Sequence, residues 1–190
     1  MKNSQGFSLI EVLVTIVLTI VGILGMVALQ SKSIQYTQDA VNRNAAVTLT
    51  NDLIEIIRMH RHDLFEKKPP RYYFYAVVVP SSSIYDADGK LTLNPSGCPK
   101  SAVAQTLLEQ SNCWLKRVQE TLPDANALLD SHFVLCPSYK TDEDSDKPAC
   151  ADSSYEGSML AIQVAWRSKE KVCGPALNSD VCTLTTRVEL

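Results

Sequence analysis

The sequence predicts an α+β fold in which one long amino-terminal helix packs on a small antiparallel β-sheet head. A predominantly apolar run comes first, and a helical periodicity then continues it to about residue 61. Short extended segments separated by turn residues follow. The 190 residues, 45% hydrophobic with a net charge of −3, amount to about one domain. This composition excludes a disordered chain and a polytopic membrane protein, and it argues against a nucleic-acid-binding domain.

The apolar run has the length of a membrane-spanning helix. Residues 7–29 include 17 apolar residues out of 23, and 20 consecutive uncharged residues lie between Glu11 and Lys32. A helix of that length spans the roughly 30 Å hydrocarbon core of a bilayer. Lys2 precedes the run, so the amino terminus is expected in the cytoplasm and the rest of the chain across the membrane. A cleaved secretory signal is the alternative, but the sequence after the run, MVALQSKS, lacks a small-x-small cleavage site.

The helix is predicted to continue beyond the bilayer as an amphipathic segment, so that one helix runs from about Phe7 to Arg61. No proline occurs before Pro69. Apolar residues recur among polar ones at mostly three- and four-residue steps, which places them on one face that would pack on the head. These positions are Ala28, Leu29, Ile34, Tyr36, Ala40, Val41, Ala45, Val47, Leu49, Leu53, Ile54, Ile56 and Ile57.

The head is predicted to hold strands and one inserted helix. Residues 72–79 (YYFYAVVV) are aromatic and β-branched, and Asp88-Gly89 indicates a hairpin turn. We expect Ser101 to cap the helix and Pro123 to end it. Its expected apolar face comprises Val103, Leu107, Leu108, Trp114, Leu115, Val118 and Leu122. Further strands are predicted at 132–136, 159–166 and 182–188.

Six cysteines follow the membrane segment, and an even number on one side favours disulfides in an oxidising compartment such as the periplasm. Zinc is disfavoured because there is no C-x2-C pair and the spacings of 15, 23, 14, 23 and 9 residues are loose. Six cysteines allow fifteen pairings, which spacing alone does not resolve. Cys173 and Cys182 are the best supported pair, since Gly-Pro and Asn-Ser-Asp turn residues lie between them. The working hypothesis for the others is Cys98 with Cys113 and Cys136 with Cys150.

A carboxylate within an apolar segment needs a partner, and Glu11 has no basic residue within the segment to supply one. Headgroup-level solvation is the simple alternative. The stretch around it, KNSQGFSLIEV from Lys2 to Val12, has a basic residue, glycine, phenylalanine, three residues and then glutamate, followed by the apolar run. This stretch closely resembles the class III signal of type IV pilins and type II secretion pseudopilins.

The resemblance implies that a prepilin peptidase cuts between Gly6 and Phe7 and methylates Phe7, leaving 184 residues. The new α-amino group, with an unperturbed pKa near 8, would be cationic at neutral pH and could pair with Glu11 of a neighbouring subunit. The expected organisation is a leader at 1–6, a transmembrane and assembly helix at 7–31, its amphipathic continuation at 32–68, and a disulfide-bonded periplasmic head at 69–190.

The functional hypothesis is a non-enzymatic minor pilin that primes assembly of a type IV pilus and enters the fibre. The chain resembles the PilV type of minor pilin, which implies roles in twitching motility, adhesion and presentation of a large tip adhesin. Expected partners are other minor pilins, the major pilin, the prepilin peptidase and the inner-membrane assembly machinery, with no nucleic acid and no cofactor. The protein would reside in the bacterial inner membrane and then in the fibre. A minor pseudopilin of type II secretion is the close alternative, and a membrane-tethered periplasmic enzyme or binding protein is the alternative of another class.

Other candidate sites have weaker patterns. Asp142, Asp144 and Asp146 open a calcium-loop pattern, but Lys147 and Ser153 stand where glycine and glutamate are needed, which favours a solvated acidic loop. The three histidines, His60, His62 and His132, lack metal-ligand spacing. Ser81-Ser82-Ser83 lacks the sequence context of a catalytic serine nucleophile. The cluster of Arg71, Tyr72, Tyr73 and Tyr75 is more typical of a sheet surface than of a site that stacks on nucleic-acid bases.

Overall fold

The fold is described from a computed structural model. It describes residues 8–66, 77–79, 81–100, 102–138, 140–141, 147–151, 157–169, 173 and 179–189. The chain divides into two compact units, Met1–Ala40 and Val41–Leu190, which are treated separately below.

A single helix, α1 (Leu9–Met59), accounts for most of the first 60 residues. The predicted apolar face is correct from Leu49 onward, but Val41 and Val47 are exposed. In the second unit the inward face of the helix packs into the head through residues at three- and four-residue intervals. These are Ala46, Leu49, Thr50, Leu53, Ile54, Ile56 and Ile57. The helix stops at Met59, before the end of the predicted 32–68 segment. A 3₁₀ turn at Arg61–Asp63 redirects the chain and brings Leu64 fully into the core.

The head contains an antiparallel three-stranded sheet in the order β3-β6-β7. Its strands are β3 (Val134–Pro137), β6 (Met159–Arg167) and β7 (Val181–Glu189). The central strand β6 pairs with β7 along its whole length, from Met159 opposite Glu189 to Arg167 opposite Val181. The predicted α+β fold, a long apolar helix with a small antiparallel sheet, is therefore confirmed and is pilin-like.

Two short antiparallel pairs complete the described strands. β1 (Phe65–Glu66) pairs with β2 (Val77–Val78), and β4 (Lys140–Thr141) pairs with β5 (Pro148–Ala149). Most of the predicted strand at 72–79 lies outside the described residues, as do Arg71, Tyr72, Tyr73 and Tyr75.

The inserted helix α2 (Leu107–Thr121) begins later than predicted, because its N-cap is Thr106 rather than Ser101. The Thr106 hydroxyl accepts a hydrogen bond from the Glu109 amide at 3.2 Å, and the Glu109 carboxylate accepts one from the Thr106 amide at 3.3 Å. This capping box satisfies two helix-end donors that would otherwise lack partners. The predicted apolar face needs correction at two positions, since Val103 lies before the helix at 82% exposure and Leu108 is also exposed.

Replacing Thr106 by Ala should lower the free energy of unfolding by about 1 kcal/mol, because the cap is lost. Urea unfolding followed by circular dichroism measures this. The matched control is Thr48→Ala in α1, where the hydroxyl donates to the Asn44 carbonyl within the helix and its removal should change stability little. Equal losses in the two variants would contradict a capping role.

A second helix, α3 (Ala125–His132), was not predicted. The strand expected to begin at His132 starts only at Val134, because His132 closes the last turn of α3. Asp124 precedes α3 in a left-handed conformation with φ 54°, and its carboxylate lies 3.5 Å from Nε of Arg167. Helix α3 lies against the central strand β6.

The predicted turn at Asp88-Gly89 is confirmed. Tyr85 and Leu91 form an antiparallel bridge across it, and the Gly89 amide donates to the Asp86 carbonyl at 3.0 Å. Gly89 has a φ of +78°, a left-handed conformation that glycine adopts at little cost.

One hydrophobic core joins the carboxyl-terminal part of α1, both shorter helices and the sheet. Trp114 is its largest fully buried side chain, and its indole nitrogen donates to the Leu49 carbonyl of α1 at 2.7 Å. On the surface of the same two helices, Arg117 pairs with Asp52 at 2.7 Å. Helices α1 and α2 are therefore joined by packing and by polar contacts.

Candidate functional site

Glu11 lies in the first turn of α1, with its amide donating to the Ser8 carbonyl at 3.0 Å. Its side chain is exposed. The next basic residue along the helix is Lys32, which lies 21 positions further on and therefore about 31 Å away along the helix axis. Glu11 therefore cannot obtain a cationic partner from its own membrane segment.

The apolar residues around Glu11 are also exposed. Between Leu9 and Leu29 every large apolar side chain is exposed, from 46% at Val12 to 82% at Leu9. This segment is long and apolar enough to cross a membrane, with a mean hydropathy of 2.8 over its best 18-residue window. An apolar surface this large requires a lipid or protein environment.

Polar side chains in the same segment are satisfied by the helix itself. The Thr15 hydroxyl donates to the Val12 carbonyl at 2.8 Å, and the Thr19 hydroxyl donates to the Thr15 carbonyl. These bonds let threonine enter an apolar environment without an unpaired donor. A carboxylate has no equivalent way to be satisfied, so Glu11 is the polar group of this segment that calls for an external partner.

The predicted cleavage junction, Gly6 and Phe7, lies outside the described residues, so the prediction of cleavage there rests on the sequence alone. The described chain begins at Ser8, three residues before Glu11.

In the structure three disulfides join the six cysteines in the pairs that the sequence analysis named. The Cα–Cα distances are 4.6 Å for Cys98–Cys113, 5.5 Å for Cys136–Cys150 and 4.9 Å for Cys173–Cys182. All three fall within the range that disulfides occupy. The first ties the loop before α2 to that helix, and the third closes the loop before β7.

Among the described residues, the contacts of the weaker candidates favour neither catalysis nor metal binding. Nδ1 of His60 lies 3.9 Å from the Asp63 carboxylate, whereas Nδ1 of His132 hydrogen-bonds the Ser131 hydroxyl at 2.7 Å. Partial burial lowers the pKa of His132, and the positive charges of Lys147 and Arg167 lower it further. Within the described residues no group of three potential ligands is placed to hold a metal ion. Asp142, Asp144 and Asp146 lie outside those residues.

The Ser81-Ser82-Ser83 run helps to form a turn. The Ser82 hydroxyl accepts a hydrogen bond from the Ile84 amide at 3.2 Å, and the Ser82 amide donates to the Tyr85 carbonyl at 2.8 Å. These bonds position Ile84 and Tyr85, both fully buried, at the edge of the core.

The head also contains an open groove of about 580 Å³ that no sequence pattern predicts. The turn at residues 86–90, the end of α3 and the segment around Cys150 line it. Lys90 of the turn and Asp130 of α3 form an ion pair at 2.7 Å on its wall, and this contact raises the pKa of Lys90. The turn itself was readable from Asp88-Gly89. The sequence contains no local pattern that indicates the contact of this turn with a cysteine about 60 residues later in the chain.

Comparison with family models identifies one segment of the chain. Residues 1–28 match the model described as the prokaryotic N-terminal methylation motif. Comparisons with curated proteins and with solved structures each give no match. The matched region contains the Gly6–Phe7 junction and Glu11 and ends within the apolar part of α1. The chain therefore carries the N-terminal methylation motif of type IV pilins and pseudopilins, which implies processing by a prepilin peptidase.

Proposed function

We propose that this protein is a minor pilin of the PilV type, which helps to prime a type IV pilus and is incorporated into it. The observation that carries the proposal is an exposed carboxylate at the start of an exposed apolar helix, within the matched methylation motif. The disulfide-bonded α+β head is what a periplasmic subunit would carry. Twitching motility, adhesion and presentation of a large tip adhesin would follow from its place in the fibre.

In this proposal the chain first spans the inner membrane with its head in the periplasm. Cleavage after Gly6 removes residues 1–6 and creates a cationic amino group on Phe7, which N-methylation leaves cationic. Glu11 of an incoming subunit then pairs with the amino group of a neighbouring pilin. In a low-dielectric setting that ion pair favours one register between packed helices, because any other register leaves charges unpaired.

The same motif is compatible with a minor pseudopilin of a type II secretion system. We favour the pilus because the head carries three disulfides, whereas pseudopilin heads are often smaller and less cysteine-rich. Deleting the gene separates the two: loss of twitching with normal secretion supports the pilin, and loss of secretion with normal twitching supports the pseudopilin.

Intact-mass and amino-terminal peptide analysis of the protein purified from membranes tests processing directly. We expect a mature chain of 184 residues that begins with Phe7 carrying one methyl group on its amino nitrogen. The matched control is the chain from cells without prepilin peptidase, which should retain residues 1–6. A mature chain that begins at Met1, or near Ser31, would rule out the proposed processing.

A further inference from the structure

The turn at residues 86–90 rests directly on the Cys136–Cys150 disulfide. A Cβ atom added at Gly89 would lie 2.5 Å from Sγ of Cys150 and 3.1 Å from Cβ of Cys136, so the glycine backbone is in close contact with the disulfide. The Cys150 sulfur also lies 3.6 Å from the Asp88 carbonyl oxygen. The disulfide therefore forms the surface on which this turn sits.

One backbone hydrogen bond connects the turn to the sheet. The Leu135 amide of β3 donates to the Gly89 carbonyl at 2.9 Å. Leu135 is fully buried with the turn in place, so its amide is shielded from solvent as long as the hydrogen bond to Gly89 holds. On the other side of the groove, the Lys90–Asp130 ion pair joins the turn to α3.

The two cysteines differ in their freedom to move. Cys136 is fully buried in β3, where it pairs with Ala161 of β6. Cys150 is only partly buried, follows the two-residue strand β5 and lines the groove. Two sulfurs that are no longer bonded must move apart. We expect Cys150 to move, because it is not part of the three-stranded sheet that fixes Cys136. Because Gly89 and the Asp88 carbonyl lie against the Cys150 sulfur, that movement removes the surface on which the turn sits.

We propose that the Cys136–Cys150 disulfide is a redox-sensitive latch that holds the 86–90 turn against β3 and so shapes the groove. A dithiol reductant opens it: a thiolate attacks Sγ of Cys150, and the Cys136 sulfur leaves and takes up a proton. The second thiol of the reductant then displaces Cys150 and forms the reductant's own disulfide. The products are two protein thiols and one reductant disulfide, and the turn detaches. This inference concerns the head alone and is independent of the proposed pilin function.

Residue-resolved hydrogen exchange of the full chain in detergent micelles tests the latch, with the Leu135 amide as reporter. In Cys136→Ala/Cys150→Ala that amide should exchange at least about tenfold faster, while amides of β6 such as Ile162 keep their protection. The matched control is Cys98→Ala/Cys113→Ala, which should leave Leu135 unchanged. Unchanged Leu135 exchange in the first variant overturns the proposal. So does a loss of protection throughout β6 and β7, since the bond would then hold the whole head.

Two further measurements separate the packing from the redox step. Gly89→Ala keeps both cysteines but displaces the turn, so Leu135 should exchange faster while peptide mapping still finds Cys136 bonded to Cys150. In the unaltered chain titrated with dithiothreitol, alkylation of Cys150 and loss of Leu135 protection should rise together. Slow Leu135 exchange in Gly89→Ala, or in chains already alkylated at Cys150, would overturn the latch.

Discussion

Glu11→Ala should abolish incorporation of the chain into pili while leaving the head folded. Glu11 stands in the first turn of α1 among exposed apolar side chains, and the nearest basic residue of that helix is about 31 Å away. A carboxylate at the centre of a bilayer costs about 2.5–3.5 kcal/mol on insertion scales. The cost is smaller towards the interface, but a partner subunit that supplies a positive charge would still remove it. Alanine removes the charge that selects that partner. Insertion of the helix into the membrane therefore becomes easier, but assembly of the subunit into the pilus fails.

The measurement is the amount of the chain in sheared pili relative to the amount in the inner membrane, by immunoblot. Glu55→Ala is the matched control, because Glu55 lies on the same helix, is exposed and pairs only at the surface with Arg58 at 3.0 Å. Surface pairs of this kind contribute little to stability, so the control should be incorporated normally. Normal incorporation of Glu11→Ala would refute the charge-pairing mechanism, and equal defects in both variants would indicate a general loss of helix stability.

The parts of this protein that could be predicted are those encoded by neighbouring residues. The processing motif, Glu11 and the apolar run are contiguous, and the strands β6 and β7 each form one continuous segment rich in β-formers. The turn at Asp88-Gly89 has an equally local signal. Fold class followed from these segments because their order already separates a long helix from a later antiparallel sheet.

The parts that could not be predicted depend on tertiary contacts or on closely competing local signals. Ser101 and Thr106 are both acceptable caps by residue type, and the Glu three residues after Thr106 decides between them. Helix α3 was not predicted: α2 ends just before Pro123, as expected, but the chain turns at Asp124 and becomes helical again. The groove brings the 86–90 turn to Cys150, and no sequence period connects residues so far apart.

The largest effect on stability is expected at Trp114, whose replacement by Ala should cost the head about 3–5 kcal/mol through the cavity it leaves. Trp114 of α2 is fully buried, and its indole N–H donates to the Leu49 carbonyl of α1 at 2.7 Å. Trp114→Phe keeps an aromatic ring but loses that hydrogen bond, so its loss should be smaller. Urea unfolding of the full chain in detergent, followed by circular dichroism, measures all of these variants.

A comparison of Trp114→Phe with Trp166→Phe separates the contribution of the Trp114 hydrogen bond from that of the change in ring size. Trp166 is 4% exposed, and its buried indole nitrogen has no hydrogen-bond partner among the residues that the structure describes. The same substitution there makes the same change in ring size but removes no hydrogen bond, and it eliminates a buried donor that lacks a partner. Trp114→Phe should therefore be more destabilising than Trp166→Phe by about 1 kcal/mol or more. If the two variants lose the same stability, the hydrogen bond to the Leu49 carbonyl contributes nothing to the attachment of α1 to α2.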